Sequence, residues 1–149
     1  MKLLTNIGTY AALVVGTFLC VCSAVPAAAQ ENGCSAMLSL SIPNTEILAA
    51  SVVPAFGPLP AHCWVIGVTH GEPGSNVGFD VRLPDKWNGK LLFTTRQGYM
   101  GSLAPLFNAV VSSGLIRNYA TVTTDGGHQG ANILDGSFGL NNRPAEIDF

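Results

Sequence analysis

The chain has 149 residues, a formal net charge of −2 and 11% charged residues, well below the usual share of about 25%. That length suits one modest domain, and the composition excludes a disordered or collagen-like chain. With no basic run, nothing here offers the electrostatic footprint that nucleic acid requires.

The N-terminus accounts for part of the hydrophobicity. Lys2 forms a short basic region, Tyr10 to Val25 is an apolar run, and Ala27-Ala28-Ala29 offers the small residues that signal peptidase reads. Residues 1–29 are therefore read as a signal peptide, with Gln30 opening a mature domain that spans 30–149. An uncleaved membrane anchor is the alternative, against which the alanines and the acidic Glu31 both argue. Neither Cys20 nor Cys22 follows the small residue that a lipoprotein site needs. The mature chain then keeps Cys34 and Cys63, and two cysteines in an exported chain suggest one disulfide. Zinc is a poor rival, because Cys34 is isolated and His62-Cys63 is not a chelating spacing. The expected location is secreted or periplasmic, with no membrane contact after cleavage.

Met37 to Ile42 alternates apolar residues with serine and reads as a strand. Glu46 to Val53 is a further apolar stretch that suits a strand or a short helix. Pro54, Pro58 and Pro60 mark an irregular connection. Trp64 to Val68 is a clearer strand, closed by the turn His70 to Ser75. His62 and His70 lack a second ligand at i+2 or i+4, so both read as exposed turn histidines. Val77 to Leu83 follows as a half-buried strand, in which Phe79, Val81 and Leu83 alternate with Asp80 and Arg82. Pro84 stops it, and Asn88-Gly89 signals a hairpin to the next run, Leu91 to Thr95.

The loop Gln97 to Gly101 then opens into a helical pattern. Ser102 suits an N-cap, Pro105 falls in the first turn, and Leu103, Leu106, Phe107, Val110 and Val111 share one face. Gly114 is placed as the C-terminal cap. Tyr119 to Thr124 is β-branched and gives the next strand, so a βαβ unit with a parallel pair is expected. That strand runs into Asp125-Gly126-Gly127-His128-Gln129-Gly130, at the strand end where α/β sheets hold ligands. Asp125 and His128 have the residue types of two triad members. They lie close in sequence, however, and a turn in which Asp125 caps backbone while His128 packs or hydrogen-bonds is the plainer reading. No serine has a G-x-S-x-G surround. Ser35 follows Gly33-Cys34, but Ala36-Met37 stand where glycines are needed, so Ser35 is a decoy.

The order of pieces is similar to the tannase and feruloyl esterase family. Cys34, then Pro60-Ala61-His62-Cys63 leading into a strand, resembles the family's opening. Phe79 to Pro84, closed by Trp87-Asn88-Gly89-Lys90, resembles its F-x-x-x-LP…WNG hallmark. Thr124-Asp125-Gly126-Gly127-His128-x-Gly130 resembles its T-D-x-G-H-x-G turn, and Asp148-Phe149 fits the pair that leads into its next helix. The resemblance implies an α/β fold: the N-terminal part of an α/β-hydrolase core, with β-rich leading strands and one βαβ unit. It also implies a secreted serine hydrolase that cleaves esters of aromatic acids such as gallate or ferulate, without a cofactor or metal.

In the family pattern the serine of a C-S-x-G-G element, the triad Asp and His, and the lid all lie beyond the position matching Phe149. No triad member is thus expected in this chain, which by itself should be catalytically inert. Gly98 matches the oxyanion-hole donor of the loop, and Gln97 replaces one of two glycines usual there. The competing reading is a small secreted β-rich binding module, with Trp64, Trp87, Phe93 and Tyr99 lining its surface. Packing in core and turns is the simpler role for those aromatics.

Overall fold

The computed structural model describes residues 33–95, 98–103 and 109–149. The signal-peptide reading (1–29), together with Gln97, Pro105, Leu106 and Phe107, lies outside the described residues. Five strands form one sheet: β1 (Thr45–Val53), β2 (His62–Thr69), β3 (Val77–Pro84), β4 (Leu91–Thr94) and β5 (Ala120–Thr124). Helix α1 (Ala109–Ile116) joins β4 to β5, and α2 (Arg143–Asp148) ends the chain. The strand order is β1-β2-β3-β5-β4. The pairs are antiparallel except β4 with β5, which run parallel. The βαβ unit is thus present, and the ambiguous Glu46–Val53 stretch is strand.

The sheet register separates two faces. On one, Cys34, Cys63 and Val65 form the buried core, with Met37, Ile47, Ala50, Val52, Val81 and Leu83 packed on it. The Cys34–Cys63 disulfide is formed across this cluster, at a sequence separation of 29. It ties the segment before β1 to the start of β2. On the other face Trp64, Arg82 and Thr121 share a register row, and Asp80 with Thr123 the next. Asp80 is 3% exposed, so the reading of Asp80 and Arg82 as the solvent side of a half-buried strand is corrected. Arg82 satisfies the buried carboxylate with two hydrogen bonds of 3.1 Å, Nε to Oδ1 and Nη2 to Oδ2. Its guanidinium also lies 5.7 Å from the Trp64 ring centroid. Pairing and hydrogen bonding are what make a buried charge tolerable.

Four further expectations are corrected. Met37–Ile42 is not a strand: Ala36–Ser39 forms a 3₁₀ turn, in which Ser39 Oγ donates to the Ala36 carbonyl at 2.8 Å. Local serine-to-backbone bonds compete with sheet pairing, and the disulfide at Cys34 fixes where the segment runs. Asn88-Gly89 does not close a hairpin, because β5 lies between β3 and β4. Asn88 instead binds the end of the helix connection, its Nδ2 donating to the Arg117 carbonyl at 2.6 Å and its N–H to Asn118 at 3.0 Å. His62 is not an exposed turn residue: it opens β2, is 3% exposed and lies 2.9 Å through Nδ1 from the Pro60 carbonyl. His70, by contrast, is exposed.

The fourth correction concerns the helix end. Gly114 is buried inside α1, where an added Cβ would sit 2.7 Å from Leu92 Cδ2 and 2.8 Å from Thr121 Cγ2. The missing side chain is what lets the helix lie against the sheet. Termination falls to Asn118, at φ +60°. The Tyr119 N–H returns to the Gly114 carbonyl at 3.0 Å and the Asn118 N–H to Leu115 at 2.8 Å, the paired bonds of a Schellman cap. On α1, Val111 and Leu115 are buried, but Val110 is exposed. Ser102 and Leu103 are not helical, and Leu103 lies beside Gly78.

Candidate active site at the ends of the parallel strands

Because β4 and β5 are parallel, the loops that follow them leave the sheet at the same end. That is where open α/β sheets place ligands. The first loop carries Gly98, at φ +54°. A Cβ there would strike the Ile133 carbonyl, so the position favours glycine both by conformation and by space. The second loop runs from Asp125 to Gly130, with Gly126 at φ +64° and Gly127 at +73°.

The two loops are stitched together. Gly101 and Gly130 exchange backbone hydrogen bonds of 2.9 and 2.6 Å. Tyr99 N–H donates to the Ile133 carbonyl at 3.0 Å, and His128 Nε2 lies 2.8 Å from the Tyr99 carbonyl. Between them lies a cavity of about 190 Å³ walled by Thr95, Met100, Thr124, Asp125, Gly126 and Phe149.

Asp125 organises the second loop. It is 5% exposed, and its Oδ1 accepts the N–H groups of Gly78 and Gly127, each at 2.9 Å. Oδ2 accepts Gln129 Nε2 at 2.6 Å, while the Asp125 N–H returns to the Gly78 carbonyl at 3.1 Å. One carboxylate thus locks the turn to β3. Burial pushes the Asp125 carboxyl above its usual value, against the opposing pull of Gly127, Gly78, Gln129 and the nearby His128.

His128 stacks on Phe138, with ring centroids 3.6 Å apart and planes 7° apart. Phe149 tilts against both rings, at 5.8 Å from His128 and 5.2 Å from Phe138. Asp125 and His128 therefore behave as the turn reading required, one capping backbone and the other packing and hydrogen-bonding.

Other sequence candidates lie elsewhere. Ser35 sits beside the disulfide on the segment before β1 and does not line the cavity. Trp64 and Phe93 occupy opposite faces of the sheet, since Leu92 shares the row of Thr121, Arg82 and Trp64. The four aromatics accordingly form no common surface. Trp64 packs under Arg82, whereas Trp87 and Phe93 are 60% and 54% exposed. Among the described residues, no group of three or more His, Cys, Asp or Glu side chains is placed to hold a metal ion. No described helix is long and apolar enough to cross a membrane.

Sequence reasoning missed the Phe138–His128 stack, and it missed Ser75. Ser75 is 3% exposed, and its Oγ donates to Asp148 Oδ1 at 2.7 Å, fastening α2 to the β2–β3 turn. No spacing rule connects residues so distant in sequence.

Residues 63–149 match the family model described as tannase and feruloyl esterase. An uncharacterized esterase of Xanthomonas campestris pv. campestris is 33% identical over 137 residues, covering 85% of this chain and 23% of that protein. The mono(2-hydroxyethyl) terephthalate hydrolase of Piscinibacter sakaiensis is 34% identical over 92 residues, or 56% of this chain and 15% of that enzyme. The chain thus spans about a quarter or less of the length of these relatives. In fold it is similar to feruloyl esterase B from Aspergillus oryzae, with a TM-score of 0.68 at 20% identity over 80% of this chain and 26% of that one. The mixed sheet with its βαβ crossover is accordingly a partial α/β-hydrolase fold, and the chain belongs to the tannase and feruloyl esterase family.

Proposed function

We propose that this chain forms the front of an exported carboxylic ester hydrolase that acts on esters of aromatic acids by serine acyl transfer. The observation that carries the reading is the cavity between the two glycine-bearing loops at the C-terminal ends of β4 and β5. It lies in a chain whose relatives include esterases and a hydrolase of an aromatic-acid ester. In this mechanism a serine attacks the ester carbonyl, a histidine takes and returns its proton, and backbone N–H groups hold the oxyanion. Gly98 is assigned one of those N–H groups. It follows the β4 strand as the oxyanion loop of an α/β-hydrolase does.

The nucleophile and its partners are assigned to the part of the longer relatives that this chain does not cover. Asp125 and His128 are committed to structural bonds and are not the triad. Export is supported by the Cys34–Cys63 bond, which persists in oxidising compartments.

The test is hydrolysis of methyl gallate and methyl ferulate, followed for the 149-residue chain and for the same residues joined to the remainder of a full-length family member. The chain alone is expected to match a heat-killed control and the joined protein to turn over at least one ester. Turnover by the 149-residue chain, or an inert joined protein that folds, refutes the proposal. Loss of a complete triad lowers turnover by about 10⁶, so the contrast is far outside assay error.

A further inference from the structure

We infer that His128 is a positioning residue for the Gly98–Gly101 loop, holding the Tyr99–Met100 peptide and through it the backbone on the C-terminal side of Gly98; this rests on the oxyanion role proposed for Gly98. Glycine is the residue with the most backbone freedom. An oxyanion donor carried on glycine therefore needs its orientation imposed from outside, because preorganised dipoles are what stabilise a developing charge.

The structure supplies that constraint from both sides of Tyr99. The Gly98–Tyr99 peptide is held through its N–H, which donates to Ile133 at 3.0 Å. The Tyr99–Met100 peptide is held through its carbonyl, 2.8 Å from His128 Nε2. A carbonyl only accepts, so Nε2 carries the proton and donates it.

The imidazole is itself fixed in two ways. Its face lies on Phe138 at 3.6 Å. The turn beneath it is locked by Asp125, which accepts the Gly127 N–H at 2.9 Å. Gly101 makes room for the ring: an added Cβ there would come within 2.7 Å of His128 Cδ2 and Nε2. A run of fixed groups thus leads from a buried carboxylate to the oxyanion loop, and His128 is the link that crosses between the loops.

Two substitutions separate the hydrogen bond from the stack. His128→Phe keeps an aromatic face on Phe138 and removes the donor, whereas His128→Gln keeps an N–H donor and removes the ring. The probes are amide hydrogen exchange at Gly98, Tyr99 and Met100, and steady-state hydrolysis of methyl ferulate by the protein joined to its family remainder. With H128F, exchange at these amides is expected to quicken about tenfold and kcat to fall about tenfold, the effect of one lost hydrogen bond. KM is expected to stay within about twofold, because substrate binding is not the function of this bond. H128Q should restore most of both losses.

Wild-type exchange and kcat in H128F, or an H128Q as impaired as H128F, overturns the inference, the latter because packing would then be the cause. Should H128F fail to fold, ¹⁵N-histidine spectra of the wild-type protein decide: a protonated, slowly exchanging Nε2 supports the bond, and an unprotonated Nε2 refutes it. If the joined protein hydrolyses no ester while the exchange pattern holds, the esterase reading falls and the positioning role remains.

Discussion

Replacing Asp125 by alanine should be among the most destabilising single changes in this chain. The substitution removes the acceptor for two backbone donors, Gly78 N–H and Gly127 N–H, both at 2.9 Å from Oδ1. The site is 5% exposed, which leaves little water to replace the lost oxygen. Each orphaned buried donor costs about 1–3 kcal/mol, so Asp125→Ala should lose about 2–6 kcal/mol. That is a large part of the 5–15 kcal/mol that typically holds a domain together.

Asp125→Asn sets the contrast. Its Oδ1 still accepts both N–H groups, and its Nδ2 meets only the amide of the exposed Gln129, which can turn to offer oxygen; a loss below about 1.5 kcal/mol is expected. Urea unfolding at pH 7, followed through Trp64 and Trp87 fluorescence, measures both variants. The sign of the pH effect gives an independent check. Burial raises the folded Asp125 pKa above 3.8, so the folded state binds this proton more tightly than the unfolded one. Its contribution is fully present below 3.8 and is lost as pH rises through the folded value. Wild type should therefore gain on Asp125→Asn as pH falls through that window. An alanine variant within about 0.5 kcal/mol of wild type would refute the capping role, as would an asparagine variant equally damaged.

Two further outcomes are expected. Replacing Cys34 and Cys63 by serine releases a closure of 29 residues, which the chain-entropy account values at about 3.6 kcal/mol, so the thermal midpoint should drop sharply; an unchanged midpoint argues against the bond. Gly114→Ala should destabilise by about 1–2 kcal/mol despite the better helix propensity of alanine, because its Cβ would press within 2.8 Å of both Leu92 and Thr121. Chemical denaturation reads the sign, and a stabilised variant rejects the close helix–sheet contact.

Much of the local structure was legible in the residues themselves. The alternation of Val77 to Leu83 and the β-branched run after Tyr119 gave strands, and the apolar stretch between β4 and β5 gave the crossover helix and so the parallel pair. Polar and glycine residues after two parallel strands also pointed to the end of the sheet where the two loops meet. These features depend on neighbours in sequence, where side-chain period and backbone preference act directly. What depended on partners remote in sequence was not legible. Asn88-Gly89 specifies a turn but not which strand lies beside β3, and β5 took that place. His62 and Asp80 became buried because neighbouring elements covered them, a cost offset by bonds to Pro60 and Arg82. Gly114 looked like a helix stop, yet its lack of a side chain serves the contact with Leu92, and Asn118 supplies the left-handed cap. The reach of His128 to Tyr99 across 29 residues belongs wholly to tertiary structure. Only once the parallel strands align their loops do the ring, the carbonyl and the glycine between them meet.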